Sequence, residues 1–102
     1  MQAMVVDLRI SPLDTRELVR VYRDEVVPLA RKQKGFRSAW LLTDPDTGVG
    51  ISITLWDTDG QVGEIEGFYD EKVDKFATLL TETPVRKHYG VGVIHYEASV
   101  LA

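Results

Sequence analysis

Val49-Gly-Ile-Ser-Ile-Thr-Leu-Trp56 alternates without interruption, sending Ile51, Ile53 and Leu55 one way and Ser52, Thr54 and Trp56 the other. Neither set carries a charge, so neither reads as a solvated face, and the run predicts a strand covered on both sides. A chain of 102 residues has material for two or three helices, enough to cover one face of a sheet. The second face therefore points to another copy of the protein.

Upstream of this strand, Asp44-Pro-Asp-Thr-Gly48 supplies a proline, two Asx side chains and a glycine for positive φ. Before that turn, Phe36 to Thr43 alternates again, so the two runs form a hairpin. Nearer the start, Met4, Val6, Leu8 and Ile10 share one side of a first strand that Ser11-Pro12 stops. Asp14 or Thr15 can cap a helix carrying Leu18, Val19, Tyr22, Val26, Leu29 and Ala30 as an apolar stripe. Pro28 conflicts with that stripe and predicts a kink near Val27 or an early end. Arg31, Lys32 and Lys34 complement the helix dipole, and Gly35 terminates.

Downstream, Thr58 to Gly67 is a weak helix interrupted by glycines. Tyr69, Val73, Phe76, Ala77 and Leu80 then fall on one helical face that ends before Pro84. Val91 to Leu101 reads as the last strand. The order is βαββαβ, which predicts an α+β, ferredoxin-like fold: one domain over 1–102, with an antiparallel sheet and helices on one face.

Composition narrows the function. No cysteine is present, which excludes disulfide scaffolds, thiolate metal sites and cysteine nucleophiles. Twelve basic against sixteen acidic side chains give a net charge of −4, which argues against nucleic acid as a partner. No apolar run is long enough for a membrane span, and the first residues lack a signal-peptide pattern, so a cytoplasmic protein is expected. His88 and His95, seven residues apart with no helical pairing, do not form a metal motif. Gly48-Val-Gly50 and Gly90-Val-Gly92 lack the strand-to-helix setting of a phosphate loop.

Gly35-Phe36-Arg-Ser-Ala-Trp-Leu-Leu42, the acidic turn ending in Gly48, and Ser52-Ile-Thr-Leu-Trp56-Asp57 together resemble the antibiotic biosynthesis monooxygenase family. The resemblance implies a homodimeric α/β barrel, two sheets face to face, with a small cavity between sheet and helices in each subunit. It also implies a cofactor-free oxygenase. Its substrate, a polycyclic phenol such as an anthrone, reduces dioxygen once deprotonated, so the protein need only bind, desolvate and deprotonate it. On this resemblance Trp56 corresponds to the tryptophan that closes the third strand and lines the cavity. Ser52 stands where such members can carry an asparagine, and Val62 where they carry a tyrosine. Haem-degrading relatives of the fold use a tryptophan and a histidine on the second helical region. Gly60 to Thr83 contains neither, which disfavours that activity. The alternative function is a barrel that binds a small molecule without transforming it.

These readings nominate individual residues. Trp56 would stack on a small aromatic ligand and Ser52 would orient a ligand oxygen, while Tyr22 and Tyr69 point from helices toward the sheet. Asp7, His88 and His95 are the candidate bases. Each also has a plain structural role open to it: core packing for the aromatics, a salt bridge for Asp7, solvent or a structural hydrogen bond for the histidines.

Overall fold

A computed structural model describes residues 1–57 and 74–97 of the chain. Alternation carries β1 (Gln2–Arg9), β2 (Phe36–Asp44) and β3 (Val49–Trp56) into one antiparallel sheet with β4 (Val85–Gly90), in the order β2-β3-β1-β4. Between β1 and β2 run α1 (Thr15–Val21), a π turn (Tyr22–Val26) and α2 (Val27–Ala30); α3 (Asp74–Leu79) precedes β4. This is the expected α+β, ferredoxin-like arrangement. Among the described residues, no helix is long and apolar enough to cross a membrane.

Strand register assigns every side chain to a face. Met4, Val6 and Leu8 pair with Thr54, Ser52 and Gly50, so all of these meet the helices. There they pack with Leu18, Val21, Tyr22, Val26, Trp56 and Phe76 to form the core. Val5, Asp7, Ile51 and Ile53 project from the opposite face, joined by Trp40 and Leu42 from β2. Trp40 and Leu42 remain 48% and 51% exposed, so the two faces differ sharply in cover. The stretch 91–97 passes over one end of this open face, where Val93, Ile94 and Tyr96 meet Trp40 and Leu55 around a hollow.

Two expectations need correction. Residues 91–97 are not a strand: the last strand among the described residues is Val85–Gly90, and 91–97 carries no regular structure. Among the described residues β4 is an edge strand paired only with β1, so both of its faces can hold charge, as Arg86 and Lys87 do, and apolar alternation does not mark it. Residues 98–101 lie outside the described residues, as does the weak helix expected over 58–67.

Nor does the helix stop early at Pro28; the irregularity expected near Val27 takes the form of a π turn over Tyr22–Val26. This turn, closed by the Val27 N–H donating to the Tyr22 carbonyl, widens the backbone, and the helix continues to Ala30. The same turn aligns the buried row Leu18, Tyr22, Val26 and Ala30. At about 100° per residue a plain α-helix would rotate such a four-residue spacing steadily off the core. The extra residue in the wide turn takes up that drift.

Candidate functional site

Beneath α3 and the link from α3 to β4 lies a cavity of about 430 Å³, whose wall includes Val6, Ser52, Phe76, Leu80, Thr83 and Arg86. The link is stitched to the end of β1. Thr81 donates from its N–H to the Arg9 carbonyl at 2.8 Å, and Ile10 bridges Leu80. One edge of the cavity is thereby held by backbone hydrogen bonds.

Ser52 is a polar group in the cavity's sheet wall, and only 2% of it is exposed. Its Oγ lies 2.9 Å from the hydroxyl of Tyr22, which also reaches the Trp40 carbonyl at 3.4 Å. A buried hydroxyl needs such a partner, and Tyr22 supplies it from the start of the π turn. The Tyr22 ring in turn packs on Phe76, with centroids 6.2 Å apart. The family resemblance nominated Ser52 and helical spacing nominated Tyr22, and the structure brings them into contact.

Burial pushes the Tyr22 phenol above its ordinary value, against a smaller downward pull from the Ser52 hydrogen bond. The folded state therefore holds this proton more tightly than the unfolded chain. The stabilisation is complete below about pH 10, the unfolded value, and is lost as pH rises toward the folded one. Urea midpoints measured from pH 9 to 11 should fall more steeply for the native chain than for Tyr22→Phe. Parallel slopes would show that Tyr22 is not the buried titrating group.

Trp56 stands in the core beside the cavity and is not among the described residues of its wall. Its Nε1 donates to Thr54 Oγ1 at 2.8 Å, and its ring meets Phe36 edge-on at 5.2 Å. The three candidate bases separate. Asp7, paired with Ile51 and Val85, projects from the open face, with the sheet between it and the cavity. His95 follows β4 and lines the hollow on that same open face, its Nε2 2.7 Å from Glu97 Oε1. His88 sits opposite Met4 on the cavity's side of the sheet, within β4 and not in a loop before the last strand. Tyr69 lies outside the described residues. Among the described residues, no three of His, Asp and Glu gather as a metal site.

Sequence reading passed over Arg86. In β4 it pairs with Val6 and lines the cavity. The available signal was the alternation of Arg86 and His88 against Val85, Lys87 and Tyr89, visible once the strand is placed there.

No family model and no curated protein matches the chain. Solved structures do. The monooxygenase ActVA-Orf6 of Streptomyces coelicolor, in complex with nanaomycin D, superposes with a TM-score of 0.72 at 19% identity, covering 94% of this chain and 92% of that one. A protein described as an antibiotic biosynthesis monooxygenase gives 0.70 at 15% identity, over 89% and 98%. The chain has the antibiotic biosynthesis monooxygenase fold. SnoaB of Streptomyces nogalater, a cofactor-independent oxygenase, shares this monooxygenase fold with a TM-score of 0.68 at 15% identity, over 94% and 97%. At such identities the likeness is one of fold, and chemistry rests on the site itself.

Proposed function

We propose that the protein is a cytoplasmic homodimer that binds a small phenolic aromatic molecule in the cavity and oxygenates it with dioxygen, without metal or flavin. The observation that carries this reading is the Ser52 hydroxyl, fixed by Tyr22 in the wall of a largely apolar cavity. An aromatic ring fits the apolar part, and the hydroxyl holds a ring oxygen in place. ActVA-Orf6, with the same fold, was crystallised with the ligand nanaomycin D, which is consistent with an aromatic occupant.

Deprotonation makes an anthrone-type ring electron-rich enough to reduce dioxygen. One oxygen atom ends in a new carbonyl, and the other leaves as water with the two hydrogens of the oxidised carbon. His88 is the candidate base on the cavity's side of the sheet. Trp56 supports the wall from the core, on the same sheet face as Ser52 and Thr54. Dioxygen uptake by metal-stripped protein on anthrones and naphthols should be saturable, and about tenfold or more slower in Ser52→Ala. Heat-denatured protein controls for spontaneous oxidation. No uptake across the panel, with an unchanged small molecule co-purifying, would favour the non-catalytic binding protein.

The homodimer reading rests on the open face, where Trp40, Leu42, Ile51 and Ile53 form an apolar surface on the side away from the helices. Two such faces packed together close a barrel and place Asp7 at the seam. Native mass should be twice the 11.5 kDa of one chain, and Trp40→Glu should halve it. A single-chain mass for the native protein at micromolar concentration would remove this part of the proposal.

A further inference from the structure

The hydroxyls of Tyr22 and Ser52 lie 2.9 Å apart, and each has one proton to give. Two arrangements satisfy that contact. In one, Ser52 donates to Tyr22, and Tyr22 passes its own proton to the Trp40 carbonyl at 3.4 Å. In the other, Tyr22 donates to Ser52, and the Ser52 proton has to find its acceptor elsewhere.

Distance and acidity both select the second. Hydroxyl donors hold their acceptors at about 2.5–3.0 Å, so the Trp40 carbonyl stands too far to take the phenol proton and Ser52 stands within reach. A phenol is also the stronger acid of the pair, and its oxygen, conjugated with the ring, the weaker acceptor. Burial keeps Tyr22 protonated through the neutral range, so the proton is there to be given. Among the described residues Tyr22 is the one hydrogen-bond partner of the Ser52 hydroxyl. Ser52 lines the cavity, whereas Tyr22 is not among the described residues of its wall and packs behind it on Phe76. The second proton of the pair is thus left for whatever occupies the cavity.

Building on the cavity's assignment to aromatic ligands, we propose that Tyr22 is a positioning residue that fixes the Ser52 proton toward the cavity, so that the site takes a ring oxygen as a hydrogen-bond acceptor, ionised or carbonyl, in preference to a neutral phenol. A hydroxyl that accepts one hydrogen bond donates the next more strongly, which adds to the preference.

The probe 6-cyano-2-naphthol tests this, because its absorption changes when its hydroxyl loses a proton to the buffer. The pH midpoint of the bound probe reports the ratio of affinities for the ionised and neutral forms. Ser52→Ala should raise that midpoint by about one pH unit relative to the native protein, a tenfold loss of preference for the ionised form. Tyr22→Phe should raise it by about half as much, a threefold loss. The opposite arrangement gives the opposite sign, since removing the phenol would free the Ser52 proton for the ligand and lower the midpoint. A cavity merely loosened by Tyr22→Phe would weaken both forms alike and leave the midpoint unmoved. A fallen or unmoved midpoint in Tyr22→Phe therefore overturns the assignment and leaves the aromatic-ligand reading standing. Should that variant fail to fold, Ser52→Ala decides, and a fallen or unmoved midpoint there has the same meaning. Absence of probe binding below millimolar concentration in the native protein would overturn the aromatic-ligand reading as well.

Discussion

Trp56→Ala should lower the unfolding free energy by about 3–5 kcal/mol, a large share of the roughly 5–15 kcal/mol that holds a domain of this size together. The indole is completely buried in the core. Removing it opens a void between β3 and the helices and deletes the edge-on contact with Phe36. It also leaves the buried Thr54 hydroxyl without the N–H that it accepts. Trp56→Phe keeps most of the volume and loses the hydrogen bond, so about 1–2 kcal/mol is expected. Urea unfolding of both variants measures this directly. A loss under about 1 kcal/mol for the alanine would show that the site collapses around the gap. Alanine at this position therefore reports on folding, and only the phenylalanine variant can report on a ligand contact. A folded Trp56→Phe with turnover depressed more than about tenfold would place the ring against the substrate.

Gly48→Ala should lose about 3 kcal/mol or more, because two independent penalties coincide. The residue has φ +79, a conformation that costs an L side chain roughly 1 kcal/mol or more. A Cβ would also fall 2.0 Å from the Ile10 carbonyl oxygen, and backbone must move to admit it. That movement would strain the hydrogen bond from the Ile10 N–H to the Gly48 carbonyl, which ties the β2–β3 turn to the end of β1. Gly92→Ala is the matched control. Nothing lies within 4 Å of the added methyl, so its effect should stay within about 0.5 kcal/mol. Comparable midpoints for the two variants would show that the turn relaxes freely.

The hairpin was legible in the sequence because it is local. Asp44-Pro-Asp-Thr-Gly48 carries its own turn chemistry, including the Asp46 N–H donating to Asp44 Oδ1, and the strands on either side alternate cleanly. β4 was misplaced for the converse reason. An edge strand needs no apolar face, so Val85–Gly90 reads as a basic loop, while the more apolar stretch after it imitates a strand. At the site, Ser52 came from the family resemblance and Tyr22 from helical spacing, although their mutual hydrogen bond depends on the register between distant elements. The candidate bases fared differently because alternation tells that neighbours face apart and not which side is the cavity. Asp7 follows Val6 by one residue and so falls on the other side of the sheet.

The π turn has a bearing on how this chain tolerates insertions and deletions. Removing one codon anywhere in Tyr22–Val26 would restore an unbroken α-helix, the geometry most substitutions favour locally. Because the wide turn already absorbs that residue, loss of Arg23, Asp24 or Glu25 would leave Leu18, Tyr22, Val26 and Ala30 at spacings of four, three and four, all within about 40° of the Leu18 direction on the sheet-facing side. Within that segment loss of one exposed residue, like exchanges at Arg23 or Asp24, should thus be far milder than gain of one, which would turn Ala30 about 100° off the sheet.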